Sequence, residues 1–396
     1  MRIALVSLHT SPGAVAGRGD GGGMNVVVAA AARALARRGH EVVAITRASA
    51  EAPPGERPLD AADPHGAQLR ALEVGPPTAR KEELPSLLPK FSRDLERLGR
   101  FDAVHAHYWL SGLAAGPLAA RCGVTPAITF HTLAALKNER LAPGDRPEPP
   151  SRLAAEQFLA RHSETIAVSR NERDAVLRAL GDQNRRIEIV PPGVDTTLFR
   201  PDPARTSDRL RIVVLGRVQP LKGQDLAVRA AAEIARQDPE LWSRCELVVA
   251  GEPTPGAEEY AASLRDIAER AGIAGQVRFL PAQDREAAAQ LLASSSVALV
   301  PSHSESFGLV ALESAACGTP VVAGAHSGLL EAAPAGVAGV HVEGRDPAQW
   351  AGAVARLLRD TAARARLAES ARKHALAHNW DAHASQLERI YARLRA

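Results

Sequence analysis

The sequence predicts an α/β protein of two doubly wound domains, and three observations carry that expectation. Its 396 residues exceed the usual roughly 100–200 residues of one domain. Short β-branched runs alternate with Ala/Leu-rich runs of helical length, the pattern of parallel strands joined by crossover helices. The alternation breaks at a Pro-rich stretch, from Pro191-Pro192-Gly193 to Phe199-Arg200-Pro201-Asp202-Pro203, and then starts afresh.

Taken in order, residues 2–7 (RIALVS) read as a buried strand, 24–38 as a helix stopped by Gly39, and 41–46 (EVVAIT) as the next strand. Strand runs at 103–105, 127–130, 163–168 and 187–190, with an Ala-rich helix near 113–121, complete the first series. The second opens with strand 210–215 (LRIVVL), helix 225–236 and strand 246–250 (ELVVA). Helix 260–271, strand 276–280, helix 285–294, strand 297–300, helix 309–316, strand 320–323 and a helix from Pro347 follow. The amphipathic stretch 380–396 is expected to cross back and brace the first domain. The expected division is therefore 1–195, 196–375 and a C-terminal helix in 376–396.

Composition narrows the class. With 45% hydrophobic and 23% charged residues, long disorder is excluded. The opening MRIALVSLHT lacks the basic, apolar and small-residue order of a secretory signal, and no 18-residue apolar run would span a membrane. Charges sum to +3 with both signs interspersed, which is no nucleic-acid surface. Cys122, Cys245 and Cys317 stand far apart without CxxC spacing, as reduced thiols of a cytoplasmic protein would. Only five of the 48 basic residues are lysines: Lys81, Lys90, Lys137, Lys222 and Lys373. Each marks a place where a compact ammonium could be preferred to a guanidinium.

Five clusters could carry chemistry. Gly19-Asp20-Gly21-Gly22-Gly23-Met24-Asn25 leads from the first strand into a helix, so its amides can approach an anion without interference from Cβ atoms. Asn25 could offer an amide to a sugar or phosphate oxygen. His105-Ala-His107-Tyr108 and Phe130-His131-Thr132 end two further strands; His105 and His107 read equally well as cleft or core residues. No carboxylate or third His stands near them at ligand spacing, so a metal is not expected there. Gly216-Arg217-x4-Lys222-Gly223 follows the first strand of the second half and suits a diphosphate clamp. Glu305 and Glu313 then flank a helix start at Phe307-Gly308-Leu309-Val310, whose amides suit a diphosphate while the carboxylates accept from hydroxyls. Neither half carries GxGxxG with an acidic residue about 20 positions on, so a dinucleotide is not expected.

Glu305-x7-Glu313, Gly216-Arg217 with Lys222, and glycines 21–23 together resemble the retaining GT-B glycosyltransferases of family 4, whose two Rossmann-like domains face across a cleft. The resemblance covers nearly the whole chain. Within the family, GDGGGMN, HYWLSG, HTLAALKN and KEELPSLL are similar to the members that open mycothiol biosynthesis by moving GlcNAc from UDP-GlcNAc to an inositol phosphate. The resemblance implies an acceptor phosphate on Lys81, Tyr108, Thr132 and Arg152, with Asn25 beside the acceptor. It implies Arg217 and Lys222 on the donor's β-phosphate and His131 near the sugar's 6-hydroxyl. Glu305 would take the sugar's 3- and 4-hydroxyls, Glu313 the ribose, and Gln283 the nucleobase through backbone atoms. Gly22, Gly23, Phe307, Gly308, Leu309 and Val310 would complete the donor site. His131, Glu305, Arg217 and Lys222 would form the catalytic set.

The implied mechanism is retention without a covalent intermediate, the leaving diphosphate serving as base. No cofactor or metal is implied, since the nucleotide sugar is a substrate and the protein supplies the countercharge. The expected partners are a nucleotide sugar and a small anionic acceptor, with no nucleic acid; a homodimer is left open. The chain departs from the family pattern at Ser327-Gly-Leu-Leu-Glu-Ala-Ala, where GGLPxAV is usual, and at Val27, where Tyr is usual. Such departures fit a paralogue as well, for example one placing a GDP-linked sugar on the sulfur of a thiol such as ergothioneine. In another class stands a nucleotide-sugar-binding protein without turnover, against which the retained catalytic set argues.

Overall fold

The computed structural model describes residues 1–395 other than 15, 16, 18–20, 64, 184 and 203–208. Gly19 and Asp20 of the glycine loop, and Pro203 of the Pro-rich break, lie outside the described residues.

Two sheets form, one from each half. The first holds β1 (Arg2–Val6), β2 (Glu41–Arg47), β3 (Gly55–Pro58), β4 (Gln68–Leu72), β5 (Ala103–His107), β6 (Ala127–Thr129), β7 (Glu164–Ala167) and β8 (Glu188–Ile189). Their order is β3-β4-β2-β1-β5-β6-β7-β8, parallel except where β3 runs against β4. The second holds β9 (Leu210–Leu215), β10 (Cys245–Ala250), β11 (Val277–Leu280), β12 (Val297–Val300), β13 (Val321–Gly324) and β14 (Gly339–Val342). Its order is β11-β10-β9-β12-β13-β14, parallel throughout.

Strands buried on both faces need continuous apolar runs, and β1, β10, β12 and β13 have them. On one face of the first sheet, Phe91, Leu118, Phe130 and Leu159 pack together. On the other, Val28 and Leu35 of the helix Gly23–Arg37 meet Leu387, Ile390 and Tyr391 of the helix Trp380–Arg393. That last helix is tied down further by Arg38 Nε to Glu388 at 2.9 Å and by the Tyr391 hydroxyl to His105 Nδ1 at 2.6 Å. Trp350 and Val354 fill one face of the second sheet; Leu292 and Leu312 fill the other.

Strands β3, β4 and β14 are absent from the sequence reading. β3 contains Pro58 and no apolar run, and β4 alternates Gln68 and Arg70 with buried Leu69 and Ala71, so neither shows the pattern of a central parallel strand. The helix Trp109–Cys122 also begins before the expected 113, because Gly112, Gly116 and Pro117 hide its period. Both sheets aim the carboxyl ends of their strands at one cleft, the usual place for a ligand in such folds.

Candidate functional site

The second-domain wall is built from two strand exits. After β9, Gly216 and Arg217 lead to the short turn Pro220–Lys222. After β12, residues 301–308 cross the cleft floor and enter the helix Leu309–Ala316. Gly308 caps that helix at φ 108°, where a Cβ would approach Leu329 Cδ2 to 2.7 Å, so glycine suits both the conformation and the space. Lys222 Nζ donates to Glu305 Oε1 at 2.6 Å, and the Ser302 hydroxyl reaches the same oxygen at 2.8 Å. Clamp cation and sugar carboxylate of the sequence reading are therefore neighbours. Glu313 is buried; desolvation pushes its carboxyl up, and Arg285 Nη1 at 3.1 Å works against that shift. Gln283 is half-buried in the cleft wall and donates its amide to the Pro281 carbonyl at 2.7 Å.

The first-domain wall closes on these groups. A Cβ at Gly22 would stand 3.4 Å from the Arg217 guanidinium, and one at Gly23 would stand 3.2 Å from Leu309 Cδ1. Two glycines thus let backbone approach the second-domain wall across the cleft. Asn25 is buried beneath them with its amide engaged, accepting from the Gly22 N–H at 2.9 Å and donating to the Ser11 carbonyl. It lines the cleft but braces the glycine turn, rather than presenting a free amide as the sequence suggested.

Strand exits β5 and β6 bring up the aromatic and histidine groups. Tyr108 takes φ 77° after β5, His9 lies against its ring at 4.4 Å between centroids, and Arg152 stands 4.8 Å from the ring centroid. Lys81 Nζ is 5.6 Å from the same centroid. Arg152 is buried and donates to the Thr132 carbonyl at 2.8 Å and hydroxyl at 3.1 Å. The four residues assigned to one anion therefore converge. They are not alone, because Arg152 also pairs with Glu148 at 2.9 Å and Glu156 at 2.7 Å, while Lys137 pairs with Glu148 at 2.6 Å. Against the desolvation that would raise it, Arg152 and Lys137 hold the Glu148 carboxyl below its ordinary value.

The histidines divide by role. His105 belongs to the core, between the Tyr391 hydroxyl and the Thr129 hydroxyl at 2.9 Å. His131 lines the cleft with φ 61°, and its Nε2 meets His107 Nδ1 at 2.9 Å. Desolvation, then nearby His383, lowers the His131 pKa to about 3. His131 can therefore serve as a neutral hydrogen-bonding group, and proton abstraction is not its natural task.

Apart from His105, His107 and Glu156, these functional side chains line one cleft of about 630 Å³, the size of a small-molecule site. Sequence reasoning assigned no role to His9, Lys137, Glu148, Glu156 or Arg285. A signal existed for part of the set: Arg152 and Glu156 stand four apart, the spacing of an ion pair on a helix face, while Glu148 precedes the helix Pro150–His162. Arg285 carried none. Among the described residues, no group of three or more His, Cys, Asp or Glu could hold a metal ion, and no helix is long and apolar enough to cross a membrane.

Comparison with known proteins follows the two walls. Residues 21–198 match the family described as Glycosyltransferase Family 4, and residues 195–374 match Glycosyl transferases group 1. The chain is 42% identical over 400 residues to the D-inositol 3-phosphate glycosyltransferase of Frankia alni, covering 97% of each. It is 40% identical over 413 residues to that of Salinispora arenicola, covering 98% of this chain and 91% of the relative. Among solved structures, sucrose-phosphate synthase from Thermosynechococcus elongatus superposes with a TM-score of 0.88 at 29% identity, over 99% of this chain and 98% of that one. Trehalose-6-phosphate synthase shares the fold, with a TM-score of 0.76 at 15% identity over 99% of both chains.

Proposed function

This chain belongs to the family 4 glycosyltransferases of the GT-B fold, and from that premise we propose that it moves GlcNAc from UDP-GlcNAc to an inositol phosphate with retention. The observation that carries the acceptor reading is the convergence of Lys81, Tyr108, Thr132 and Arg152 opposite Arg217 and Lys222. An anionic acceptor would be held by its phosphate on the first wall, with its hydroxyl turned toward the sugar. Charge-assisted hydrogen bonds of this kind contribute about 1.5–3 kcal/mol each.

On the donor side, Arg217, Lys222 and the amides at Gly308 and Leu309 would receive the charge that develops on the departing diphosphate. That diphosphate, on the same face as the incoming hydroxyl, would take its proton, which preserves the anomeric configuration. Glu305 would hold sugar hydroxyls, Glu313 the ribose, and neutral His131 a hydroxyl of the transferred sugar. These fixed cations and dipoles would do the work of a metal, so turnover should survive excess EDTA. The three described cysteines are buried and unpaired, which suits a reducing cytoplasm.

The test is product analysis. Incubation with UDP-GlcNAc and inositol 3-phosphate should give a product heavier by one GlcNAc residue, with an α-anomeric proton by NMR. Parallel arms with GDP-sugars and with ergothioneine examine the paralogue reading. Transfer in those arms alone, or a β-linked product, would overturn the assignment.

A further inference from the structure

Ser306 stands between Glu305 and Phe307, where the second domain reaches the strand ends of the first. Its hydroxyl donates to the His131 carbonyl, and its own carbonyl accepts from the Ser169 hydroxyl at 2.7 Å. Ser169 caps the helix Arg170–Leu180, and its oxygen also accepts the Glu172 N–H at 3.1 Å. The buried Glu172 carboxylate takes the Val168 N–H at 2.6 Å and is supported by the His131 N–H. The His131 carbonyl is thus held by a second-domain hydroxyl, while its N–H lies near a first-domain carboxylate, whose pKa it lowers. At φ 61°, His131 is in the left-handed region, which a non-glycine residue keeps only when its surroundings over-determine it.

We propose that Ser306 is a positioning residue that couples closure of the two domains to the orientation of the His131 imidazole. The inference rests on the reading that His131 meets the donor sugar. The His131 carbonyl finds the Ser306 hydroxyl only when the second-domain loop is docked, since the two groups lie on opposite domains. The same loop carries Glu305, so one movement brings the sugar carboxylate into place and fixes the backbone that aims the histidine. The ring is steadied at its far end by His107. Docking and aiming are chemically separate at this residue. Ser306 docks through its main-chain carbonyl, which Ser306→Ala leaves intact, and aims His131 through its side chain, which Ser306→Ala removes.

The experiment measures kcat, KM and UDP affinity for Ser306→Ala, Ser306→Thr and His131→Ala, using the nucleotide sugar that the wild type turns over best. Misplacing a group that contacts substrate costs up to about 10²-fold, so Ser306→Ala should lower kcat by roughly 5- to 100-fold. Calorimetric UDP affinity should stay within about twofold, because Arg217 and Lys222 are untouched, and Ser306→Thr should recover most of the lost kcat. Wild-type kcat in Ser306→Ala beside a crippled His131→Ala would overturn the coupling and leave the glycosyltransferase reading standing. Wild-type kcat in His131→Ala would remove the role of His131, and the coupling with it. Parallel loss of melting temperature, UDP affinity and kcat in Ser306→Ala, without rescue by Thr, would make the contact merely structural and sink the proposal.

Discussion

On the second-domain wall, most of the charged groups come from two short stretches, Arg217 and Lys222 after β9 and Glu305 to Glu313 after β12, with Arg285 added from the helix start after β11. On the first-domain wall, Lys81, Tyr108, Thr132 and Arg152 come from four separate segments that only the fold brings together. Their electrostatics differ as well. Lys222 answers to one carboxylate, Glu305, whereas Arg152 is held between Glu148 and Glu156, with Lys137 outside them. A diphosphate common to many donors can be met by a compact motif. A wall assembled from distant segments can be retuned one segment at a time, and under the proposed function its internal carboxylates would set how much positive charge an acceptor meets.

The largest effect should fall on the donor wall. Lys222→Ala or Arg217→Ala should lower kcat/KM by about 10²- to 10³-fold, the scale of losing one oxyanion partner. Initial rates with varied donor check this, and wild-type values in both variants would dissolve the contrast between the walls. Next comes Arg152→Ala, expected to raise acceptor KM by about 10- to 100-fold, the equivalent of one charge-assisted bond. Donor KM should barely move. A matching rise in donor KM would mean that the two walls do not act independently. Glu148→Gln should act in the opposite sense and more weakly, lowering acceptor KM by about threefold as one negative charge leaves a partly screened site. A higher acceptor KM in that variant would show that Glu148 organises the cations more than it opposes the anion.

The smallest and broadest effect concerns pH. Burial holds His9, His105 and His131 at about 3, and pushes His107 well below its ordinary value. The unfolded chain binds these protons at about 6.5, and the folded chain binds those of His9, His105 and His131 only near 3, so their stabilising effect is full above 6.5 and is lost as pH falls between those values. Melting temperature should therefore decline below about pH 6.5. Glu172, raised to about 7 chiefly by desolvation, works in the opposite direction, favouring the fold below about 4.5 and losing that contribution as pH climbs through 7. In Glu172→Gln the high-pH loss should vanish, which a melting series from pH 5 to 9 resolves.

What could be read from residues alone follows the same division. Most central strands, β5 with its two histidines excepted, contain an apolar run, and β9 and β12 occur within the expected boundaries. The second-domain motifs that the structure gathers into the cleft were legible as clusters because their residues are close in sequence and their residue types are unusual for a bland loop. The edge strand β3 and its neighbour β4 were not, since β3 has no apolar run and the alternation of β4 covers only five residues with two polar side chains among them. The carboxylate partners of Arg152 escaped because a Glu four residues away is ordinary on any helix; only burial turns it into part of a site. Asn25 was legible as a cleft residue but not as the brace of the glycine turn, which depends on the Ser11 carbonyl folding back over it.

Acceptor discrimination tests the central claim most directly: initial rates of the wild-type enzyme with UDP-GlcNAc and either inositol 3-phosphate or neutral inositol. Two or more charge-assisted bonds to the phosphate predict a kcat/KM lower for inositol by about 10²- to 10³-fold, and Lys81→Ala should narrow that gap by acting on the phosphate form alone. Equal use of the two acceptors, or a gap that Lys81→Ala leaves unchanged, would contradict an anion subsite on the first-domain wall.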